Sequence, residues 1–183
     1  MSQRRLFCAA LLPPKLQDVF QETSLQWRES TIRWTLPSQL HLTLQFLGNQ
    51  NEQLIPTWIQ ILQNVAQQVT PIPIEWGEVA YWNSFSTQIV VLKLSQGQNE
   101  LIRMIEVLNG FKSQAGIEPG RREKYQPHVT LAKCKSIPPN FKSSCEFLSH
   151  WPRWIMNRFQ LFESHLSSTG ATYQKLYEFE LKV

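Results

Sequence analysis

The amino-acid sequence predicts an α+β fold in which helices and strands follow one another without strict β-α-β alternation. Some segments place apolar residues at helical spacing, others alternate apolar and polar residues as half-buried strands do, and one strand-like motif occurs twice. The chain has 183 residues, of which 42% are hydrophobic, enough for a sizeable core. Since no low-complexity linker divides the chain, we expect one domain at residues 1–183.

The N-terminal half is predicted from its apolar periods and from the residues that end each segment. Proline suits the first turn of a helix, so Pro13-Pro14 and Pro56 mark two helix starts. The predicted elements are a strand at Leu6–Leu11, a helix whose apolar face holds Leu16, Val19, Phe20, Leu25 and Trp27, a strand at Leu40–Leu47 that stops at Gly48-Asn49, and a helix at Glu52–Val69.

The C-terminal half is predicted in the same way. Alternation of apolar and polar residues favours strands, and Ser167–Gly170 has the composition of a turn between two of them. The predicted elements are strands at Ile72–Val79 and Thr87–Leu94 around a loop holding Trp82, a helix at Gln98–Gln114, a polar loop at Ala115–Gln126, a strand after it, and a hairpin of Trp154–Leu166 and Ala171–Val183.

The repeated motif is histidine, aliphatic residue, threonine and leucine, at His41–Leu44 and again at His128–Leu131, 87 positions apart. Side chains alternate between the two faces of a strand. Each copy therefore points its histidine and threonine to one side and Leu42 or Val129 to the other. We expect two strands that are each buried on one face and carry an imidazole and a hydroxyl on the other.

These side chains suit one kind of chemistry. Histidine has an unperturbed pKa of about 6.5, so two facing imidazoles can serve as a general base and a general acid near neutral pH. Thr43 and Thr130 would lie beside them, and a hydroxyl can donate a hydrogen bond to an anionic oxygen. Together these groups predict attack on a phosphodiester without a metal ion.

Other site chemistries fit the sequence less well. His150 and His165 stand in no ligand pattern with the repeated histidines, so we expect no metal and no other cofactor. Nucleophile-elbow, phosphate-loop and dinucleotide glycine patterns are absent from the sequence. The cysteines, Cys8, Cys134 and Cys145, match neither a zinc site nor a disulfide framework, which favours a reducing, cytoplasmic location.

The charge and hydropathy of the chain limit the kinds of partner that it is expected to have. A formal net charge of +4 suits a polyanion such as RNA without requiring one. No stretch of the sequence approaches the roughly 20 apolar residues of a membrane span, so a membrane partner is not expected. We expect a monomer.

The motifs and their surroundings resemble the two-histidine phosphoesterase superfamily, and more narrowly the bacterial and archaeal RNA 2′,3′-cyclic phosphodiesterases, also described as 2′-5′ RNA ligase-like proteins. The resemblance implies two pseudo-symmetric lobes, each contributing an antiparallel sheet, around a central cleft. It rests on Arg5-Leu6-Phe7, Arg33-Trp34, Leu40–Gly48, Pro127–Ala132, Phe162–Ser164 with Leu166, Gly170-Ala171 and Tyr173.

The resemblance implies hydrolysis of a terminal 2′,3′-cyclic phosphate on RNA to a 2′-phosphate, with weak 2′-5′ ligation as a side activity. His128 would take a proton from the attacking water, His41 would protonate the departing ribose 3′-oxygen, and Thr43 and Thr130 would hold the non-bridging oxygens. The residues alone leave open which histidine has which role. Lys133 stands where the family usually has arginine, so it would keep the charge but lose the two-pronged phosphate contact.

Two alternatives stay open from the sequence. One is a relative acting on another substrate, such as a 2′-5′ oligonucleotide or a small cyclic nucleotide. The other is a non-catalytic RNA-binding module, which the two intact histidine-threonine pairs argue against because binding alone does not need two proton-transfer groups.

Further residues are candidates for contacts with RNA. Phe46 is five positions from His41, so on a regular strand it would face away from the site. The candidate nucleobase contacts are Phe7, Trp34, Phe46 and Tyr125. The candidate phosphate contacts are Arg121, Arg122 and Lys124.

Overall fold

The structure, a computed structural model, describes residues 2–26, 32–84, 87–118, 125–135, 151–167 and 170–182. It confirms the α+β class. Its helices and strands are β1 (Gln3–Leu11), α1 (Pro14–Gln26), β2 (Ile32–Trp34), β3 (His41–Asn51), α2 (Ile55–Gln68), β4 (Ile72–Ser84), β5 (Thr87–Gln96), α3 (Gln98–Gln114), β6 (His128–Cys134), β7 (Trp154–Met156), β8 (Arg158–Ser167) and β9 (Gly170–Glu180).

The strands form one antiparallel sheet made of two halves. The strand order is β7-β4-β5-β6-β3-β1-β8-β9, with β2 paired to β6 beside this path. One half contains β1, β3, β8 and β9, and the other contains β2, β4, β5, β6 and β7. Each half contributes one motif strand to the centre, where β3 meets β6. The predicted arrangement of two pseudo-symmetric lobes with antiparallel sheets is confirmed.

The two halves are joined by a short pairing. Leu42 on β3 and Val129 on β6 are the register partners, and both side chains are fully buried. Because side chains alternate along a strand, the residues on either side of this pair point to the opposite face of the sheet. The flanking histidines and threonines are half-buried there.

The helices cover one face of the sheet. Leu42 and Val129 belong to the main core together with residues of all three helices, among them Phe20, Trp58 and Leu101. A smaller cluster of Phe7, Ala9 and Phe162 lies apart from this core. We call the side covered by the helices the helix face, and the side that carries both histidines the cleft face.

A bulge interrupts each motif strand after the threonine. On β3 the register passes from Ala9↔Thr43 to Cys8↔Gln45, so Leu44 has no partner of its own on β1. Leu44 is buried in the main core, and the Gln45 amide donates to Asn109 Oδ1 on α3 at 3.5 Å. Both residues thus point to the helix face, and the next residue returns to the cleft face.

The second motif strand has its bulge at the equivalent position. On β6 the register passes from Val91↔Thr130 to Val90↔Ala132, which leaves Leu131 without its own partner on β5. Leu131 and Ala132 both lie in the main core. The bulge therefore turns the residue five positions after each histidine back to the cleft face.

Two predicted strand ends are wrong. The first motif strand does not stop at Gly48-Asn49 but continues to Asn51, because Gln3–Arg5 at the start of β1 pair with residues 49–51. β4 does not end at Val79 but reaches Ser84, so Trp82 lies in a strand opposite Ile89 and not in a loop.

Three further predictions need smaller corrections. A 3-10 turn at Glu52–Leu54 precedes α2, which begins at Ile55 with Pro56 in its first turn. The strand predicted at Trp154–Leu166 is divided into β7 and β8 at Asn157, whose backbone carbonyl accepts a hydrogen bond from Leu181 N. Leu25 is 53% exposed and does not belong to the buried face of α1.

Several predicted features lie outside the described residues. They are Trp27, part of the Ala115–Gln126 loop with Arg121, Arg122 and Lys124, Cys145, and His150. No helix in the described part of the chain is long and apolar enough to cross a membrane.

We predict opposite effects for two glycine substitutions. Gly97 has φ +96°, and an added Cβ would lie 2.6 Å from Ile74 Cδ1 and 2.7 Å from the Pro73 carbonyl oxygen. Gly97→Ala should therefore lower the free energy of unfolding by at least about 2 kcal/mol. Gly110, inside α3, has no neighbour within 4 Å of an added Cβ.

Gly110→Ala is the matched control and should raise the free energy of unfolding by about 0.5–1 kcal/mol through helix propensity. Urea unfolding monitored by circular dichroism measures both values. Equal stability of the two variants would contradict this description of the β5–α3 turn.

Candidate active site

The central strand pair sets the arrangement of the four motif side chains. In an antiparallel pair centred on Leu42 and Val129, His41 lies beside Thr130 and Thr43 lies beside His128. The two histidines are therefore diagonal neighbours, which lie about 7–8 Å apart in a regular sheet. The structure thus brings all four residues predicted from the repeat together on the cleft face.

Each imidazole is held by the same kind of interaction with the backbone. His41 Nδ1 lies 2.6 Å from the Gln39 carbonyl oxygen, and His128 Nδ1 lies 2.8 Å from the Gln126 carbonyl oxygen. A carbonyl oxygen only accepts, so Nδ1 carries the proton and donates it in both rings. In the neutral ring Nε2 is then the free acceptor, which can take up a proton and later release it.

Burial lowers the pKa of both histidines below the ordinary 6.5. Desolvation is the main cause for His41 and for His128, and the hydrogen bond to the backbone carbonyl opposes it in each case. The charge of His128 lowers the pKa of His41 further. The charge on His128 thus reaches the His41 ring and disfavours its protonation.

The threonine hydroxyls are available to a ligand. The backbone carbonyl of Thr43 accepts a hydrogen bond from Tyr125 Oη at 2.9 Å, and that of Thr130 accepts one from Thr35 Oγ1 at 2.9 Å. Neither Thr43 Oγ1 nor Thr130 Oγ1 has a hydrogen-bond partner within the described residues. Their backbones are anchored while their hydroxyls remain free to donate to an anion.

Different aromatic rings support the two histidines. The His41 ring lies 5.5 Å from the ring of Phe7 and 5.4 Å, edge to face, from that of Tyr173. The His128 ring lies 4.4 Å from that of Trp82. The sequence analysis did not identify Trp82 or Tyr173 as site residues, because both are distant in sequence from the motifs.

The β3 bulge changes the expected orientation of Phe46. Phe46 is the register partner of Phe7, and the two rings are 6.1 Å apart. Since Phe7 also contacts His41, Phe46 lies on the cleft face and the prediction that it faces away is wrong. Its side chain is 70% exposed, so a ligand in the cleft can reach it.

Lys133 on β6 occupies the position that is equivalent to Phe46 on β3, five residues after the histidine. Its register partners are Ile89 on β5 and Arg33 on β2, and it is exposed. The β6 bulge places Lys133 on the cleft face, on the same strand as His128 and Thr130. It is therefore positioned to add positive charge beside the four motif side chains.

The other candidate nucleobase contacts have structural roles. Trp34 pairs with the core residue Ala132, which places it on the helix face, and its ring lies 5.7 Å from that of Phe20. Tyr125 is half-buried, its hydroxyl donates to the backbone carbonyl of Thr43, and burial raises its pKa. Phe7 is only 3% exposed and packs against the rings of His41 and Phe46. Of the four candidates, Phe46 is the ring that the cleft exposes.

The described residues contain no group of three or more His, Cys, Asp or Glu side chains that could hold a metal ion. Cys8 and Cys134 are buried free thiols, and burial raises the pKa of each. Activity without a metal stays a prediction.

Comparison with known proteins identifies the family of the chain. A profile of the 2′-5′ RNA ligase superfamily matches residues 13–164. A Thermus thermophilus protein named RNA 2′,3′-cyclic phosphodiesterase is 29% identical over 185 residues, covering 97% of this chain and 90% of the relative. A Bacillus subtilis protein of the same name is 29% identical over 150 residues, covering 81% and 80%. A crystal structure of a Thermus thermophilus protein has a TM-score of 0.79 and 26% identity, covering 97% and 98%.

The fold and the paired motifs are those of a two-histidine phosphoesterase. The chain belongs to the 2′-5′ RNA ligase superfamily. The resemblance found in the sequence is thereby confirmed, as is the prediction of an enzyme of the cyclic phosphodiesterase class, because the curated relatives carry that name.

The lowered pKa values of the two histidines predict that activity is highest at acidic pH. Rising pH removes the proton from the general acid, and falling pH protonates the general base. Since both pKa values lie below 6.5, kcat/KM for a cyclic-phosphate substrate should be bell-shaped with its maximum below pH 6.5. Initial rates from about pH 4.5 to 8.5 at constant ionic strength measure this profile. A maximum above about pH 7.5 would contradict the direction of both shifts.

Proposed function

We propose that this protein hydrolyses a 2′,3′-cyclic phosphate at the end of an RNA to a 2′-phosphate, by metal-free proton transfer between His41 and His128. The observation that carries the proposal is the crosswise pairing of two histidine-threonine pairs, with both Nδ1 atoms anchored to backbone carbonyls. The names of the curated relatives support the choice of substrate. We further propose that the chain forms a single domain and acts as a monomer in the cytoplasm. The buried free thiols support the cytoplasmic location.

Hydrolysis of the cyclic phosphate needs a base and an acid on opposite sides of phosphorus, because attack and departure occur in line. In our proposal His128 Nε2 takes the proton of the attacking water, and protonated His41 Nε2 gives a proton to the ribose 3′-oxygen as the P–O3′ bond breaks. Two diagonal residues about 7–8 Å apart leave room for a phosphate between their imidazoles. The family resemblance supplies this assignment of roles.

The developing negative charge on the phosphate would be held by neighbouring donors. Thr43 and Thr130 lie beside the opposite histidine, and neither hydroxyl has a partner in the described part of the chain, so each can donate to one non-bridging oxygen. Lys133 would add a cation from the cleft face of β6. Lysine makes a point contact where arginine would make a planar, two-pronged contact.

The nucleobase of the terminal nucleotide would stack on Phe46. Its ring is the exposed member of an aromatic row that continues through Phe7 to His41. A base stacked on an aromatic ring contributes about 1–3 kcal/mol with little dependence on sequence. This row supports an RNA end as the substrate, and in our proposal the terminal nucleoside lies on the His41 side of phosphorus.

A substrate panel tests the proposal. Purified protein in EDTA is incubated with RNAs ending in a 2′,3′-cyclic phosphate, with nucleoside 2′,3′-cyclic phosphates and with 2′-5′ oligonucleotides, and the 2′- and 3′-phosphate products are separated. We expect rapid hydrolysis of the RNA ends to 2′-phosphates. Preference for another substrate would support a different two-histidine phosphoesterase, and dependence on an added divalent ion would contradict the metal-free mechanism.

We predict large losses of activity from changes in the repeated motif. His41→Ala or His128→Ala should lower kcat by roughly 10²–10⁴-fold because each removes a proton-transfer group. The double variant should be little worse than the poorer single variant, since the two residues act as a unit. Thr43→Val or Thr130→Val removes a hydrogen bond to a charged oxygen and should cost roughly 10–150-fold.

His165→Ala is the matched control for the histidine variants. His165 is exposed on β8 and its ring nitrogen lies 3.4 Å from Gln174 Oε1. This variant should retain wild-type kcat, and circular dichroism should show that all the variants are folded. Wild-type turnover by either motif variant would leave the repeat without a catalytic role.

Two substitutions test whether Lys133 contributes through its charge and through the shape of its contact with phosphate. Lys133→Met should lower kcat/KM by roughly 10–150-fold through loss of a charged hydrogen bond, whereas Lys133→Arg should retain or increase it. Lys135→Met, at an exposed position just beyond β6, controls for a general change in net charge. Equal losses in Lys133→Met and Lys135→Met would show that long-range attraction, and not a local contact, is responsible.

A further inference from the structure

Arg5 is a cation without a counterion on the cleft face of β1. Side chains alternate along a strand, so Arg5 shares a face with Phe7, whose ring contacts that of His41. Arg5 is exposed, and it has no ion pair or hydrogen bond with any residue in the described part of the chain. The neighbouring Arg4 points to the other face, where its Nη1 lies 3.0 Å from Glu163 Oε2. Arg4 is therefore neutralised within the protein, whereas Arg5 can bind an anion from solution.

The pairing of β1 with β3 fixes the place of Arg5 in the cleft. His41 lies opposite Leu11, at one end of this pairing. Phe46 lies opposite Phe7, further along the two strands. Arg5 follows two residues beyond Phe7, about 6.6 Å further along β1 and away from His41. An imidazole, an exposed aromatic ring and a free cation therefore follow one another along the cleft face.

This order matches the order of groups in the last nucleotide of an RNA. In the proposed function the cyclic phosphate lies between the histidines, and the base stacks on Phe46. The ribose carries its 5′-oxygen on the side away from the 2′- and 3′-oxygens, and in RNA this 5′-oxygen is bonded to the preceding phosphate. With the cyclic phosphate at His41 and the base on Phe46, that preceding phosphate comes to the side of the cleft where Arg5 lies.

Tyr173 on β9 supplies a second donor near Arg5. Its ring lies 4.9 Å from the ring of Phe7 and 5.4 Å from that of His41. Its hydroxyl has no hydrogen-bond partner among the described residues. Burial raises the pKa of Tyr173, and the positive charge of Arg5 opposes this shift, so the charge of the guanidinium reaches the phenol. The hydroxyl is protonated at neutral pH and can donate a hydrogen bond to an anionic oxygen.

We propose that Arg5 and Tyr173 form a binding site for the phosphate on the 5′ side of the terminal nucleotide. The inference rests on the proposed function, because it takes the position of that nucleotide from the histidines and Phe46. The guanidinium binds two phosphate oxygens in its planar, two-pronged geometry, and the tyrosine hydroxyl donates to one of them. This site distinguishes an RNA end, or a nucleotide with a 5′-phosphate, from a nucleoside cyclic phosphate with a 5′-hydroxyl.

Four substrates that share a terminal adenosine 2′,3′-cyclic phosphate test this site. The first has a free 5′-hydroxyl, and the second has a 5′-phosphate. The third has a second adenosine joined through a phosphodiester, and the fourth has the same adenosine joined through an uncharged methylphosphonate. The second and third should have a kcat/KM at least about tenfold above that of the first, mainly through KM, because a charged hydrogen bond is gained on binding. The fourth should resemble the first, since it lacks the charge.

Three variants test the residues through the preference for a 5′-phosphate, defined as the ratio of kcat/KM with and without that phosphate. Arg5→Met should abolish the preference, with the loss in KM. Tyr173→Phe keeps the ring against His41 and removes only the hydroxyl, so it should lose part of the preference. Arg103→Met is the matched control, because Arg103 is exposed on α3, on the helix face. It removes the same charge and should retain the preference, and circular dichroism should show that all three variants are folded.

The outcomes separate this inference from the proposed function. If the wild-type protein hydrolyses all four substrates with equal kcat/KM, the inference is overturned and the proposed function stands. Full preference in Arg5→Met or Tyr173→Phe also overturns it, as does an equal loss in Arg5→Met and Arg103→Met, which would indicate attraction by net charge. Equal use of the methylphosphonate and phosphodiester dinucleotides overturns it as well, because the second nucleoside would then be what is bound. Failure to hydrolyse any of the four substrates would instead overturn the proposed function.

Discussion

The candidate site depends on one strand pairing, in which Leu42 on β3 faces Val129 on β6. Both residues are fully buried, so the register is held by the hydrophobic core on the helix face. A slip of one residue would turn His41 and its partners into the core and expose Leu42. The burial of these two apolar side chains therefore specifies the positions of the four polar ones.

The pairing of β3 with β6 gives the two histidines equivalent backbone positions, but the side chains around them differ. Both histidines donate from Nδ1 to the carbonyl two residues before them, and both strands have a bulge at the third residue after the histidine. Phe46 follows one bulge and Lys133 follows the other. One half thus presents an apolar ring and the other a cation.

The sequence predicted the features that follow from residue type and spacing. Alternation around His41 and His128 located the motif strands, and the apolar period of Gln98–Gln114 matched α3 from end to end. Bulges do not follow from alternation, because they depend on which residues of the neighbouring strand find partners. That is why Phe46 was expected on the wrong face. Contacts such as Trp82 with His128 depend on tertiary packing and have no local signal.

The most direct measurement is a crystal structure of the protein with a nucleoside 2′-phosphate, the product of the proposed reaction. The account predicts phosphate oxygens within about 2.7–3.2 Å of Nε2 of both His41 and His128, the ribose 3′-hydroxyl on the His41 side and the base on Phe46. A phosphate bound to one histidine alone, or bound away from the β3–β6 pair, would contradict it.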